Sequence, residues 1–514
     1  VKGLGLEMST QNTLLEPIDC ELVVGVVGAV GTQFQEVFSK LESHLGLAGY
    51  DVEVIKVSRD VISQIVEVKN FNSDFERFSN FMEAGNEARR LSNSWTEEGL
   101  VQGNNAILAM GVAARIFEKS LDDKNMRPPR FRRAYIVDSL KRKEEVEALR
   151  SVYGDGFVLL GVHESEEQRI VNLSCQDKMS REEAKLLIGR DHEELADPFG
   201  QRVNETFHLA DFFVEIRDGR TDLECNIRRL VEIWFGHPYR TPTFDEYAMY
   251  IAHSAALRSA DLSRQVGAVL ARGELILSTG ANECPKPHGG LYWAERFFGN
   301  DCMNDAENGR DYRRGMDSNR AAQVEMIQSI VKMFHDDLKS TEALAMFEKL
   351  DNSPIKDITE YGRVVHAEME ALLACGRLGV STQGATLYCT TFPCHNCAKH
   401  IIASGVTKVV YIEPYPKSRA LAHHSDAISE YEASDRVQFI PFTGVGPRRF
   451  YDLFSIGGSG SYPIKRKDRV TGKSLNWQLQ KSRLRIQMKA FTYLEAETQA
   501  ARLFHNWIPK GKGE

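Results

Sequence analysis

The chain has 514 residues, 42% of them hydrophobic and 26% charged, a globular balance with room for two or three domains. Acidic residues (72) outnumber basic ones (64), and a net charge of −8 excludes the global basic field that draws nucleic acid. Nine cysteines at irregular spacings argue against a secreted disulfide framework, and no apolar run is long enough to span a bilayer, so a cytoplasmic protein is expected.

In chain order, residues 1–20 are expected to be an N-terminal tail. Leu22–Val27 is an apolar, β-rich run, and Phe34, Val37, Phe38, Leu41 and Leu45 then recur at helical spacing. Val52–Val57 reads as a second strand. Ala106–Met110 and Ala134–Val137 are short strand-like runs, the latter ending in Asp138. Glu144–Tyr153 reads as helix and Phe157–Val162 as a buried strand. Strands alternating with helices predict an α/β domain with a parallel sheet over 21–236. The two prolines of His237-Pro238-Tyr239-Arg240-Thr241-Pro242 mark a boundary.

A second α/β domain is expected over 237–456. Phe244–Ala260 is helical, and Val266–Leu270 with Leu275–Ser278 predicts a hairpin. Glu368–Cys375 is helical, Thr386–Cys389 a strand, Cys394–Ser404 a helix and Lys408–Ile412 a strand. A helical insertion, about 283–362, carries an amphipathic helix near 321–339. Gly457-Gly458-Ser459-Gly460 then reads as a joint before a basic segment, 457–514, expected to be solvated and partly helical.

The first strand runs into Gly25-Val26-Val27-Gly28-Ala29-Val30-Gly31-Thr32. A phosphate loop needs glycine and lysine at its sixth and seventh positions, where this chain has Val30 and Gly31. The loop is degenerate. Gly28, Gly31, Thr32 and Asp138 remain candidates for a regulatory nucleotide site, with Mg2+ accompanying the nucleotide, and a purely structural relic is the alternative. The order of elements resembles that of nucleoside monophosphate kinases, giving an N-terminal fold of P-loop NTPase type.

The decisive constellation is His366-Ala367-Glu368 and, 24 residues on, Pro393-Cys394-His395-Asn396-Cys397. A catalytic zinc takes three protein ligands and keeps one position open. One histidine and two thiolates, His366, Cys394 and Cys397, supply that number. Free backbone N–H groups at a helix start favour the thiolate form of the cysteines. Glu368, two residues from His366, is placed to move protons without taking a ligand position. The pattern is identified as the signature of zinc-dependent nucleobase deaminases. A structural zinc clip is the plainer alternative, and His395 is an alternative ligand.

Further segments carry a closer resemblance. Phe244-Asp245-Glu246-Tyr247-Ala248-Met249, Arg258-Ser259, Gln265-Val266-Gly267-Ala268-Val269, Gly280-Ala281-Asn282 and Leu387-Tyr388-Cys389-Thr390-Thr391 resemble the deoxycytidylate deaminase family across about 244–415. The resemblance implies a cytidine deaminase-like α/β/α domain in which hydroxide attacks C4 of cytosine and Glu368 moves protons to N3 and to departing ammonia. It implies that Asn282 meets the sugar hydroxyl and Arg258 the phosphate. Val266 and Ala367 would be substrate contacts.

Asn282-Glu283-Cys284-Pro285, Gly289–Trp293, Glu413–Arg419 and His424-Ser425-Asp426 resemble more closely the two-domain bacterial antiphage dCTP deaminases, across about 20–455. That implies conversion of dCTP and dCMP to the uracil nucleotide and phage starved of dCTP. Lys417, Arg419, Arg448 and Arg449 cluster after the core, where they are candidates for a triphosphate, and Tyr415 for closure over base or sugar. Two rival readings stay open: a polynucleotide cytidine or tRNA adenosine deaminase, and a nucleotide sensor or RNA-binding regulator. Cys284, His288 and Cys302 are a looser candidate for a second zinc. A homo-oligomer and a regulatory RNA on the basic segment complete the expected partners.

Overall fold

The computed structural model describes residues 21–507 apart from 97–98, 125, 193, 195–196, 218–220, 297–302, 359, 416–417, 432–434, 458–461 and 487–491. The chain divides into two compact units, one of residues up to Pro242 and again from Thr443, the other Thr243–Phe442. The expected domain limits of 237 and 456 therefore move inward.

The first unit is built from β1 (Leu22–Val27), α1 (Phe34–Leu47), β2 (Asp51–Lys56), α2 (Asp74–Leu91), α3 (Ile107–Lys119), β3 (Arg133–Asp138), α4 (Lys143–Tyr153), β4 (Phe157–His163), α5 (Glu166–Cys175), α6 (Arg181–His192), β5 (Phe212–Glu215) and α7 (Thr221–Trp234), with shorter elements between. Its strands align in the order β2-β3-β1-β4-β5, all parallel. Val24 and Val26 of β1 pack with Val37, Phe38 and Leu41 of α1 and Ile227 and Leu230 of α7. Because side chains alternate along a strand, Val23 faces the opposite layer.

Ala106–Met110, read as a strand, is the start of α3. Asn104 Oδ1 accepts from Ala106 N at 2.9 Å, a turn that opens the helix.

The second unit begins with α8 (Phe244–Ala256), closed by a capping box between Thr243 and Glu246. It continues with β6 (Gly267–Arg272), β7 (Leu275–Ala281), α9 (Ser318–Lys332), α10 (Thr341–Asp351), α11 (Ala367–Leu378), β8 (Thr386–Thr391), α12 (His395–Ala403), β9 (Lys408–Glu413), β10 (Ile428–Ser429) and β11 (Val437–Pro441). α8 stops short of the expected Ala260, where the chain leaves the helix and Ala260 N donates to buried Glu283 at 3.0 Å. Within the insertion, α9 and α10 pack through Ile327, Val331 and Ala343.

The second sheet runs β10-β11-β9-β8-β6-β7, with β6 antiparallel to β7 and β8 and the rest parallel. Ala268, Leu270, Leu387 and Cys389 face the layer of α11 and α12. Tyr388, one residue out of phase, turns to α8, where its hydroxyl bonds Asp245 at 2.5 Å. Helices cover both faces, an α/β/α sandwich.

The chain then returns to the first unit. β12 (Gly444–Val445) pairs antiparallel with β5, and α13 (Pro447–Phe454) and α14 (Thr492–Trp507) follow. The segment expected to be a solvated basic tail is partly core. Leu484, Arg485, Tyr493 and Phe504 are buried, and Glu497 bonds Tyr153 Oη at 2.7 Å. No helix among the described residues is long and apolar enough to cross a membrane.

Candidate metal centre

Both halves of the constellation sit at helix starts. His366 is the N-cap of α11, and Cys394 that of α12, where Cys397 N points at Cys394 Sγ, 3.4 Å away. Pro393 has no N–H to continue the β8 ladder, so the chain leaves the sheet there and turns into α12. His366 is held from the other side. Glu283 and Val365 exchange backbone bonds of 3.2 and 3.0 Å, which joins the end of β7 to the residue before the histidine.

Close approach of α11 to the sheet depends on Gly280. A Cβ there would lie 2.0 Å from Ala367 O and 2.7 Å from Ala371 N, backbone atoms that cannot swing aside. Gly267 performs the same service for α8, with a Cβ falling 1.8 Å from Ala252 O.

His366 Nδ1 lies 3.4 Å from Cys394 Sγ and 3.3 Å from Cys397 Sγ, and the three donor atoms lie within 4.8 Å of one another. Two donors sharing one tetrahedral zinc through ordinary Zn–N and Zn–S bonds stand about 3.5 Å apart. The residues present therefore fit a zinc ion in donor type, number and spacing. Among the described residues this is the sole such cluster of three or more metal-binding side chains.

The charges agree. Cys394 is held down at about 4, first by its hydrogen bond with Cys397 and then by His366, while His366 is raised to about 9, chiefly by Cys394. Cys397 is pushed well up by the same contact with Cys394 and by burial. Glu368 is 4% exposed, and burial raises its carboxyl above the usual range, opposed by His366 and by a bond to Cys397. A carboxyl beside the three donors but outside their ligand set is what proton transfer at that point requires.

The remaining expected residues fall into three groups. Asn282, Val266, Ala367 and Tyr415 gather with the cluster. Asn282 Oδ1 accepts from Val266 N at 2.7 Å and its Nδ2 donates to Arg264 O at 2.9 Å, so the side chain sets the course of that loop. Ala367 is fully buried and Tyr415 packs on the same core.

Arg258 is committed elsewhere. Its Nη2 bonds Tyr292 O at 2.8 Å and its guanidinium stacks 3.4 Å from the Trp293 ring centroid. Arg448 and Arg449 belong to the first unit, where Arg449 meets Asp155 at 3.2 Å and Asp211 at 3.5 Å. Lys417 and Cys302 lie outside the described residues. Among the described residues His395 Nδ1 is buried without a hydrogen-bond partner, and the ring stands outside the cluster. Cys284 bonds Asp311 at 3.6 Å and its thiol is pushed up to about 11 by burial; among the described residues it belongs to no cluster of three metal-binding side chains.

In the first unit, the loop of Gly28, Gly31 and Thr32 follows β1 as expected, with Gly31 at φ +87°. Two amides at this turn are taken by carboxylates of the chain itself. Val30 N donates to fully buried Asp191 at 2.7 Å and Gln33 N to Glu164 at 3.0 Å. Lys141 bonds Gly28 O at 3.1 Å and Asp191 at 2.9 Å. Among the described residues Thr32 Oγ1 is buried with no partner, and burial raises the Asp138 carboxyl. The sequence pattern gives no sign of Asp191 or Glu164 in this place.

A sandwich whose His-Cys-Cys cluster sits at two helix starts is a cytidine deaminase-like domain, and residues 242–413 match the family model for the cytidine and deoxycytidylate deaminase zinc-binding region. The deoxycytidylate deaminase of Mycobacterium phage D29 is 30% identical over 171 residues, covering 33% of this chain and 94% of that protein. ComE operon protein 2 of Bacillus subtilis is 49% identical over 53 residues, 10% of this chain, so the chain spans only 28% of that relative's length. The crystal structure of the dCMP deaminase of cyanophage S-TIM5 with dCMP and dUMP is 20% identical over 40% of this chain and all of that one, with a TM-score of 0.23. The chain belongs to the deoxycytidylate deaminase family.

Proposed function

We propose that the second unit hydrolytically deaminates a cytosine deoxynucleotide, dCMP or dCTP. The C4–N bond breaks, oxygen from water takes its place, and the uracil deoxynucleotide and ammonia leave. The observation that supports this reading is the meeting of His366, Cys394 and Cys397 within 4.8 Å, with buried Glu368 beside them.

Zinc held by those three residues supplies Lewis acidity that makes hydroxide available near neutral pH. Glu368 does the proton work. Its burial raises its proton affinity toward the range where one carboxyl both accepts from water and donates onward, to N3 of the pyrimidine and then to the leaving amine. Val266, fixed by Asn282, and Ala367 line the base pocket. The second amide N–H of Asn282 serves the sugar hydroxyl, and Tyr415 covers base or sugar.

A product assay on zinc-quantified full chain with dCMP, dCTP, single-stranded DNA and tRNA tests the reading. Uracil deoxynucleotide with equimolar ammonia from dCMP or dCTP is expected. Ammonia from the polynucleotides alone would favour a base-editing enzyme, and none from any substrate would overturn deamination. The antiphage reading rests on the resemblance, and a plaque assay of cells carrying the wild type against Glu368→Gln tests it.

A further inference from the structure

Arg310 and Asp311, adjacent on the helical insertion, face the adjacent pair Glu283 and Cys284 just past β7. Arg310 Nε stands 3.5 Å from Glu283 Oε2, and Cys284 Sγ donates to Asp311 Oδ1 at 3.6 Å. All four residues are buried. Asp311 also holds the segment that leads to the first metal donor. Arg363, three residues before His366, donates from Nη1 to Asp311 Oδ1 at 2.9 Å and from Nη2 to Gly309 O at 3.2 Å. The circuit closes through the backbone, since Glu283 and Val365 exchange bonds of 3.2 and 3.0 Å. Segments 283–284, 309–311 and 363–365 thus hold one another in a ring, and His366 is the next residue along the chain.

The Asp311 carboxylate is the node of this ring. Besides Cys284 and Arg363 it accepts from Ser318 Oγ at 3.1 Å, in the first turn of α9, so an insertion helix starts from the same group. A buried carboxylate with partners on three segments fixes all three, and taking its charge away leaves the Arg363 guanidinium without a counter-ion in that place. The two cysteine donors take their positions from a different part of the fold, the start of α12 after β8. The ring therefore bears on one donor of the three. Zinc bonds to nitrogen and sulfur are short and fixed in length, so drift of the segment before His366 loosens the metal from the nitrogen side.

We propose that Asp311 is a positioning residue for the metal centre: through Arg363 and Cys284 it fixes the backbone that leads into His366, and so sets how tightly the cluster holds zinc. The insertion thereby becomes a working part of the metal site. The proposal rests on the zinc reading of His366, Cys394 and Cys397 and is independent of which cytosine nucleotide is deaminated.

The test is zinc affinity by chelator competition on the full chain, with denaturant unfolding measured beside it, for the wild type, Asp311→Asn, Arg363→Gln and the double variant. Each single variant is expected to weaken zinc by about 10-fold, the usual effect of losing an outer partner of a metal ligand. Cobalt loaded in place of zinc is expected to show altered visible bands in both, as the nitrogen donor drifts from tetrahedral geometry. The two side chains act through one contact, so the double variant is expected to lose no more than about twofold beyond the larger single loss. Arg363→Lys, which keeps the charge and the fold, recovers part of the affinity. Asp351→Asn is the control: it breaks the exposed 2.6 Å pair with Arg320 between α9 and α10, away from the ring, and is expected to leave zinc affinity within about twofold. An equal loss in Asp351→Asn, or fully additive losses in the double variant, overturns the proposal. Tight zinc in the wild type and in both ring variants overturns the brace alone, whereas a wild type that takes up no zinc overturns the metal reading and the brace with it.

Discussion

Gly280→Ala isolates the packing that places the catalytic residues. The added Cβ would stand 2.0 Å from Ala367 O and 2.7 Å from Ala371 N, whereas real Cβ atoms essentially never come closer than 3.0 Å. α11 must therefore retreat by about 1 Å, an overpacking that costs about 1–3 kcal/mol. The retreat is not uniform in its consequences, because Ala367 is the first residue of the helix that begins at His366 and carries Glu368. A displacement of that size at reacting groups lowers turnover by about 100-fold. Gly376→Ala on the same helix is the control. It meets nothing within 4 Å and replaces an exposed helical glycine, so it is expected to stabilise by about 0.5–1 kcal/mol. Denaturant unfolding and ammonia release, measured on both variants, check the pair. Wild-type stability and turnover in Gly280→Ala would refute the claim that this glycine sets the helix position.

Glu368→Gln is expected to lower turnover by about 100- to 10,000-fold while zinc content stays at the wild-type level, since the carboxyl moves protons but does not ligate; metal analysis beside the rate separates the two effects. Asn282→Ala strips Val266 N and Arg264 O of their partners and is expected to cost about 1–3 kcal/mol in denaturant unfolding, with a raised KM; unchanged values of both would remove its role in shaping the pocket. Asp191→Asn leaves Lys141 facing a neutral group and is expected to destabilise the first unit by about 2–3 kcal/mol, read in its unfolding transition. An unshifted transition would mean that the loop after β1 is held by something other than this carboxylate.

The strands and most helices were legible because burial in this chain follows period: Leu22–Val27 is buried throughout, and β8 alternates between two helical layers. The zinc cluster was legible because its three donors lie in two short segments that each begin a helix. Ala106–Met110 misled because an apolar run shorter than two helical turns carries no period, and the informative residue was Asn104 just upstream. The C-terminal segment misled because its many cations hide a buried face, although Tyr493, Ala500, Ala501 and Phe504 do recur at helical spacing. Arg449 sits near Arg419 in sequence, and linear distance could not reveal its ion pairs with Asp155 and Asp211. Asp311 and Arg363 stand 52 residues apart in sequence, beyond the reach of any local pattern.

Zinc-edge X-ray absorption on the purified full chain, with zinc quantified per chain, tests the central claim most directly. One zinc per chain is expected, with two sulfur neighbours from Cys394 and Cys397 and two lighter ones, the His366 nitrogen and an exchangeable oxygen. A zinc surrounded by four protein donors, or a chain that releases ammonia from dCMP with no zinc bound, would contradict the account.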